Sequence, residues 1–466
     1  MKYFFLFFLF VVLFACNEPP QDINSSTPIA DTANRSDINV FSDKRQENLW
    51  TEQLNFVCGY PSLQYSSLQN SSIYKQWQKK LTSAWNIYLL RDYAVIKKWA
   101  QKELNSSYDS VIFYPFGGPD IATAEAMFSK ARKIVLVGLE NIGYLPDFKK
   151  LSQEDIQIYF ENLNHSMDLF YKLGYFKTKR LQKDLKKPFI NGVINILVFQ
   201  TGRLGKLIDL QYFTIIRDGQ IHFVDSLEIY SKAINGVLLR FKDTKGDLKQ
   251  VYYLQLNLAD ENLQNYPEFF CFLNSLGKFS VFLKSASYLL HSSEFSLLRN
   301  FVLKYSDFIL QDDSGIPYNT LIFNDYKVSF YGHYIKPLNI FKEFYQPDLA
   351  EVVNGAKPLP FKFGYNSERG ALLLMLAKKQ VHTNQYPFYA VQFAMLWNKL
   401  PRTDSIFKQL PAVDYYFDDG YYKYTAGHCS DLEGCLPILS QVRSLGYQDA
   451  FIVKFYRHRR EVVSAN

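Results

Sequence analysis

A pair of adjacent carboxylates is one of two features in this sequence that suggest catalysis. Asp312 and Asp313 stand in the segment Gln311-Asp312-Asp313-Ser314-Gly315. Two neighbouring carboxyl groups can act as general acid and general base, or bind a hard cation. Adjacent acids before Ser-Gly are also typical of a solvated turn, and the sequence favours that interpretation.

The second feature is a glycine-containing turn, Phe116-Gly117-Gly118-Pro119-Asp120, with Glu140 downstream. An acid about 20 residues after such a turn holds the ribose in dinucleotide-binding folds. However, the turn lacks the GxGxxG pattern, and Pro119 has no amide to offer a phosphate. We therefore expect a packing turn and no cofactor, although the outline of the segment is methyltransferase-like.

Other motifs point away from metal and nucleotide chemistry. His291 and His333 lack metal-ligand spacing, so we expect structural histidines and no metal site. The stretch from Gly202 to Leu207 falls short of a P-loop because no Ser or Thr follows the lysine.

A strand–helix–strand unit must position the glycine-containing turn. The pattern predicts a buried strand over 111–116, a short helix over 121–128 and a second buried strand over 133–139. Successive buried strands joined by a helix are typical of a parallel, helix-covered sheet.

Further elements extend this unit. Apolar residues at three- and four-residue steps predict an amphipathic helix over 73–104. Turn signals at Asp218-Gly219 and Lys245-Gly246-Asp247 predict hairpins. Strands are predicted over 193–199, 208–216, 221–225, 236–241 and 250–256. Residues 49–380 are therefore predicted to form a large α/β domain with a Rossmann-like mixed sheet.

The last 80 or so residues predict a second, smaller domain. Strands are expected over 388–394, 413–417, 421–426 and 450–456, with helices over 404–410 and 431–445. The order β-α-β-β-α-β is that of an α+β ferredoxin-like sandwich.

Three blocks in this domain resemble a known family. They are the stretch Tyr389-Ala390-Val391-Gln392-Phe393-Ala394, the stretch Tyr422-Lys423-Tyr424-Thr425-Ala426-Gly427, and the ending Leu445-Gly446-Tyr447 with Asp449-Ala450-Phe451-Ile452-Val453. They are similar to SPOR domains over residues 386–460. The resemblance implies binding to peptidoglycan glycan strands, particularly strands stripped of peptides. Ala394 replaces the usual glycine, and Gly434 and Pro437 weaken the second helix.

Glycan binding would use the sheet face that the helices leave open. Alternation along the strands places every second side chain on this face. The candidates that could stack on sugars and bond their hydroxyls are Tyr389 or its neighbours, Gln392, Tyr416, Tyr422 and Tyr424. These side chains could instead pair across strands and cover the core. Cys429 and Cys435 could form a bridge or remain two buried thiols. The basic tail Arg457-His458-Arg459-Arg460 could contact anionic envelope polymers, but the sequence favours a solvated terminus.

The beginning of the chain has the pattern of an export signal. Residues 1–15 hold one lysine and an apolar run that is too short to span a bilayer, and Leu13-Phe14-Ala15-Cys16 resembles the lipobox of bacterial lipoproteins. That resemblance implies cleavage before Cys16 and lipidation of its thiol. Residues 16–48 are poor in large apolar side chains and are expected to be a disordered tether.

Together these features predict a cell-envelope lipoprotein, anchored on the periplasmic face of the outer membrane, that binds peptidoglycan through its C-terminal domain. The net charge of +7 on 466 residues is small, which argues against a nucleic-acid binder. The alternative is an exported, hydrolase-like enzyme that uses Asp312 and Asp313 and is localised by the same domain. The blocks FYPFGGPD, IVLVGLE and ILQDDSGIPY resemble an uncharacterised family of exported bacterial proteins, and they carry no activity over.

Overall fold

The computed structural model describes residues 44–104, 107–225, 233–324, 326–353, 356–365, 372–378, 388–396, 400, 404–407, 409–418, 421–456 and 459–463. The predicted signal peptide, Cys16 and residues 17–43 lie outside the described residues. The end of the predicted tether does not, because the first helix begins at Lys44. Its later turns bury Leu54, Phe56 and Val57, and the preceding residues include good helix formers that extend it towards its start.

The large domain is built on a mixed sheet of ten strands. The strands, numbered along the chain, are β1 (Val111–Tyr114), β2 (Lys133–Gly138), β3 (Gly205–Ile215), β4 (Ile221–Val224), β5 (Ile234–Asp243), β6 (Leu248–Gln255), β7 (Phe279–Leu283), β8 (Phe308–Gln311), β9 (Tyr326–Gly332) and β10 (Leu372–Lys378). Their spatial order is β4-β3-β5-β6-β2-β1-β7-β8-β10-β9. From β6 to β8 neighbouring strands are parallel, and the pairs outside this centre are antiparallel. The predicted mixed α/β class is thereby confirmed.

Helices cover both faces of this sheet. They are α1 (Lys44–Cys58), α2 (Ser66–Gln69), α3 (Ser72–Tyr88), α4 (Ala94–Glu103), α5 (Ile121–Met127), α6 (Gln153–Leu173), α7 (Thr178–Asp184), α8 (Ile194–Leu204), α9 (Asp260–Leu263), α10 (Glu268–Ser275), α11 (Ser296–Tyr305), α12 (Tyr318–Phe323) and α13 (Pro347–Val352). A π-helical turn, Leu89–Tyr93, joins α3 to α4 and completes the helix predicted over 73–104. Short 3-10 segments lie at Phe148–Lys150, Leu289–His291, Ser293–Phe295 and Asn339–Phe344. No helix among the described residues is both long enough and apolar enough to cross a membrane.

Alternation along the central strands supplies two cores. On β1, Ile112 and Tyr114 point to one face of the sheet and Val111 and Phe113 to the other. The first face packs against helices that include α3, α6 and α8, and the second against α10 and α11. All four β1 side chains are buried, as expected for a central parallel strand.

The strand–helix–strand unit predicted around the glycine-containing turn is confirmed. β1 and β2 pair in parallel and α5 connects them. Asp120 caps α5, because its Oδ1 accepts a hydrogen bond of 3.1 Å from the Thr123 amide.

The strand predicted over 193–199 is wrong, since these residues lie in and just before α8. Ten of the eleven α8 residues are buried, so this helix is buried nearly all round, and the apolar run at its start has the composition of a buried strand. The two predicted hairpins are confirmed, since β3 pairs with β4 and β5 with β6 in antiparallel register.

The C-terminal region forms a separate antiparallel sheet of five strands. These are β11 (Phe388–Leu396), β12 (Val413–Asp418), β13 (Tyr421–Cys429), β14 (Phe451–Tyr456) and β15 (Arg459–Val463), in the order β12-β13-β11-β14-β15. The helix α14 (Leu432–Ser444) packs on one face. Within the predicted helix over 404–410, the described residues contain only the 3-10 turn Ser405–Phe407.

The basic tail is not wholly a solvated terminus. Arg457 and His458 lie outside the described residues, but Arg459 and Arg460 begin β15, which pairs with β14. Two adjacent β-branched residues, Val462 and Val463, follow the basic run and favour a strand.

Candidate functional site

The carboxyl ends of the parallel strands bring the candidate chemical groups of the large domain to one edge of the sheet. Asp120 follows β1, Glu140 follows β2, Lys284 follows β7, and Asp312 and Asp313 follow β8. The chain passes from β1 to β2 on one side of β1, whereas β7 and β8 lie on its other side. The strand order therefore reverses between β1 and β7, which makes this edge a topological switch point. Ligands of open α/β sheets bind at such points.

Asp120 and Lys284 form a buried ion pair across this edge. Lys284 Nζ lies 2.5 Å from Asp120 Oδ2, and their side chains are 4% and 2% exposed, respectively. The ammonium also donates to Thr123 Oγ1 at 3.1 Å and to the Gly174 carbonyl at 2.6 Å. The Tyr114 hydroxyl donates to Asp120 Oδ2 at 3.1 Å. Sequence reasoning missed Lys284, which no motif marks.

Asp312 and Asp313 are buried, so the solvated turn predicted from Asp-Asp-Ser-Gly is wrong. Asp312 accepts hydrogen bonds from the Ser285 amide at 3.0 Å and from the Ser314 hydroxyl at 2.6 Å, and Asp313 accepts one from the Tyr288 hydroxyl. The turn is buried because it follows a central strand, where its acceptors can be satisfied by neighbouring loops.

Burial shifts the titration of both carboxyl groups. Loss of solvation raises the pKa of Asp312 to about 6. The same cause, together with the nearby Asp312, raises the pKa of Asp313 to about 7. Neither aspartate lines the cavity beside Lys284 or the surface concavity at Tyr144 and Phe189. Their acceptors are used for internal hydrogen bonds, so this geometry gives no support to hydrolysis.

The glycine-containing turn has the geometry of a packing turn. Gly118 has a φ of 53° and its amide donates to the Val137 carbonyl at 3.3 Å. A Cβ on Gly117 would lie 2.8 Å from the Tyr114 ring, so the turn needs glycine there. Glu140 is buried with its carboxylate over Gly138, and burial raises the pKa of Glu140.

The two histidines singled out in the sequence lie in different surroundings. His291 is half-buried and its ring contacts those of Tyr288 and Phe344; loss of solvation lowers its pKa to about 3, so the ring is neutral. His333 is exposed. Within the described part of the chain, no three His, Cys, Asp or Glu side chains are grouped as a metal site.

The five proposed glycan-binding residues divide between the two faces of the C-terminal sheet. Tyr389 packs with the cluster beneath α14, and Tyr424 is fully buried beside Phe393 and Phe407 on the same face. Tyr422 shares this face, since it lies two residues before Tyr424 on a regular strand. Their predicted place on the open face is therefore wrong. Alternation shows which residues share a face, but not which face the helix covers.

Gln392 and Tyr416 do lie on the face opposite α14. Both are buried, at 7% and 3% exposure, and the Tyr416 hydroxyl donates to Gln392 Oε1. Tyr416 also packs in a small apolar cluster with Ala390, Val453 and Phe455.

Three rings stack on this face: Phe388, which is a neighbour of Tyr389, and His428 and Phe455, which sequence reasoning missed. The ring centroids of Phe388 and His428 lie 4.2 Å apart with an interplanar angle of 18°, and those of Phe388 and Phe455 lie 4.6 Å apart at 20°. His428 is exposed and Phe388 half-buried. Because Phe388 alternates with Ala390 and Gln392 along β11, the sequence could have shown that Phe388 shares a face with Gln392. The position of His428 could not be predicted in this way, because it depends on irregular register in the pairing of β11 with β13.

Cys429 and Cys435 form a disulfide, which settles the alternative left open by their spacing. It joins the last residue of β13 to the first turns of α14. Of the described cysteines, Cys58 is a buried free thiol.

Comparison with known proteins identifies no relative: no protein-family model, curated protein or solved structure matches this chain.

Proposed function

We propose that this chain is a cell-envelope lipoprotein whose C-terminal domain binds the glycan strands of peptidoglycan. The observation that carries the proposal is the stack of Phe388, His428 and Phe455 on the sheet face opposite α14. His428 is the exposed ring of this stack, and a ring held flat in this way offers a surface on which a sugar ring can stack.

The arrangement of the domain supports a SPOR-like identity. In chain order, β11 to β14 lie in the spatial order 2-3-1-4, and α14 follows the third strand. This is the strand order of ferredoxin-like sandwiches, and β15 adds a fifth strand at one edge. The three sequence blocks of the resemblance fall on β11, β13 and β14.

The rest of the proposal concerns the compartment in which the chain works. Disulfides persist in oxidising environments such as the bacterial periplasm, and the Cys429–Cys435 bridge fits export. This bridge and the lipobox-like segment that ends at Cys16 together support a lipid anchor on the periplasmic face of the outer membrane. Two features of the large domain support a Rossmann-like assignment: the parallel centre of its sheet and the switch point beside β1.

The test is sedimentation with purified peptidoglycan sacculi, either intact or freed of stem peptides by amidase. We expect the purified chain to pellet with both, and better with the amidase-treated sacculi. His428→Ala with Phe388→Ala should bring the pelleted fraction down to background, because the exposed His428 ring and the half-buried Phe388 ring on which it stacks are both lost. Leu436→Ala, which truncates an exposed apolar side chain on α14, serves as the control and should pellet normally. A wild-type chain that stays in the supernatant with both kinds of sacculi would sink the proposal.

A further inference from the structure

A cavity of about 30 Å³ lies in the large domain, at the switch point between β1 and β7. Four cationic side chains line it, namely Arg91, Lys172, Lys284 and Lys362. Asp92 is the one acid in the lining. Arg91, Lys172 and Lys362 are exposed at the rim, whereas Lys284 is buried.

The buried lysine sets the charge of the site but has no donor to spare. Its ammonium has three N–H groups, and Asp120, Thr123 and the Gly174 carbonyl accept from them. Asp120 balances the charge of Lys284, and Asp92 pairs with Arg91 at 2.5 Å. The charges of Lys172 and Lys362 are therefore in excess at the rim, which favours an anion.

A separate observation indicates that a polar group belongs in the cavity. Tyr88 lines it and is 2% exposed, yet its hydroxyl has no hydrogen-bond partner among the described residues. Thr123 lies beside this hydroxyl, but not in the geometry of a regular hydrogen bond. Buried hydroxyls without partners are uncommon because an unmade hydrogen bond is costly.

We propose that this cavity binds a small oxyanion, a carboxylate or phosphate group, which accepts hydrogen bonds from the Tyr88 hydroxyl and from the ammonium groups of Lys172 and Lys362. The rim lysines can fold over the mouth, since their side chains are long and exposed. A cavity of this size holds only the charged head group of a ligand, and the remainder would extend past the rim. This site lies in the large domain and does not depend on the glycan-binding proposal.

Isothermal titration calorimetry on the full chain tests the site. Sodium phosphate and sodium acetate are titrated separately at ionic strength matched with sodium chloride, which separates the two sources of oxyanion. We expect saturable binding of one anion per chain. Lys172→Ala with Lys362→Ala should weaken it by about tenfold or more, because two charged donors are lost.

Tyr88→Phe provides a second variant that tests the hydroxyl alone. It removes an unpartnered buried hydroxyl, so the thermal stability of the free chain should not fall, while anion affinity should fall several-fold. Lys206→Ala with Lys245→Ala makes the same change in charge at exposed positions elsewhere and should bind as the wild type does.

Three outcomes would overturn the proposal. They are the absence of saturable binding for both probes, unchanged binding in Lys172→Ala with Lys362→Ala, and an equal loss of binding in the control pair.

Discussion

Lys284 and Asp120 join the ends of two neighbouring parallel strands through a buried ion pair of 2.5 Å. Asp120 also caps α5, while Lys284 reaches the Gly174 carbonyl at the end of α6. One pair of opposite charges thus connects β1, β7, α5 and α6 at the edge of the sheet where a ligand would bind. Removal of one charge would leave the other buried and uncompensated.

Lys284→Met should therefore lower the free energy of unfolding of the large domain by about 3–5 kcal/mol. Asp120→Asn combined with Lys284→Met should recover part of this loss, since neither charge then remains unpaired. Urea unfolding followed by tryptophan fluorescence measures both variants. Wild-type stability in Lys284→Met would contradict the account of a compensated buried charge.

The raised pKa values of Asp312 and Asp313 predict how stability depends on pH. A carboxyl group with a folded-state pKa above its unfolded value of about 3.9 binds its proton more tightly in the folded chain. The resulting stabilisation is present below pH of about 4 and is lost as pH rises through about 6 and 7. Asp313→Asn should flatten the decline in unfolding free energy between pH of about 4 and about 7. In this interval one proton contributes at most about 1.4 kcal/mol per pH unit.

Urea unfolding of the wild type and Asp313→Asn at a series of pH values checks this prediction through the difference between the two curves. Asp307→Asn is the matched control, because Asp307 is a mostly exposed aspartate one residue before β8. Parallel curves for wild type and Asp313→Asn would show that Asp313 titrates as it does in the unfolded chain.

The Cys429–Cys435 bridge should stabilise the C-terminal domain. It pins the start of α14 to β13, where Gly434 and Pro437 reduce the helix propensity. Cys429→Ser with Cys435→Ser should cost about 2–4 kcal/mol in unfolding free energy. Hydrogen exchange at α14 amides gives the measurement, with α11 as an internal control in the other domain. Equal exchange rates in the variant and the wild type would refute a stabilising role.

The proposed lipidation of Cys16 predicts a change in localisation when this cysteine is replaced. Cys16→Ala should abolish incorporation of radiolabelled fatty acid and leave the chain out of the outer-membrane fraction, since the modified thiol is absent. Cys58→Ala retains Cys16 and should incorporate label as the wild type does. Equal label in Cys16→Ala and wild type would exclude this cysteine as the anchor.

Local patterns were sufficient for elements in which one residue type has one role. The apolar runs of β1 and β2, the cap at Asp120 and the hairpin glycines Gly219 and Gly246 were readable in the sequence. Local patterns gave the wrong prediction for α8, because a helix that is buried nearly all round shows no amphipathic period. The positions of Tyr422 and Tyr424 failed for a different reason, since side-chain alternation leaves the choice of covered face open.

Three features could be predicted without coordinates: the mixed α/β class, a division near residue 380 between the last strand of one sheet and the first strand of the next, and the residue types available for chemistry. Which of those residues meet depends on how the strands are arranged in space. Asp120 and Lys284 are 164 residues apart and form an ion pair because β1 and β7 are neighbours. Phe388, His428 and Phe455 stack because β11 pairs with both β13 and β14. Such contacts depend on strand order and register, which are set by the burial of whole sheet faces rather than by any local motif.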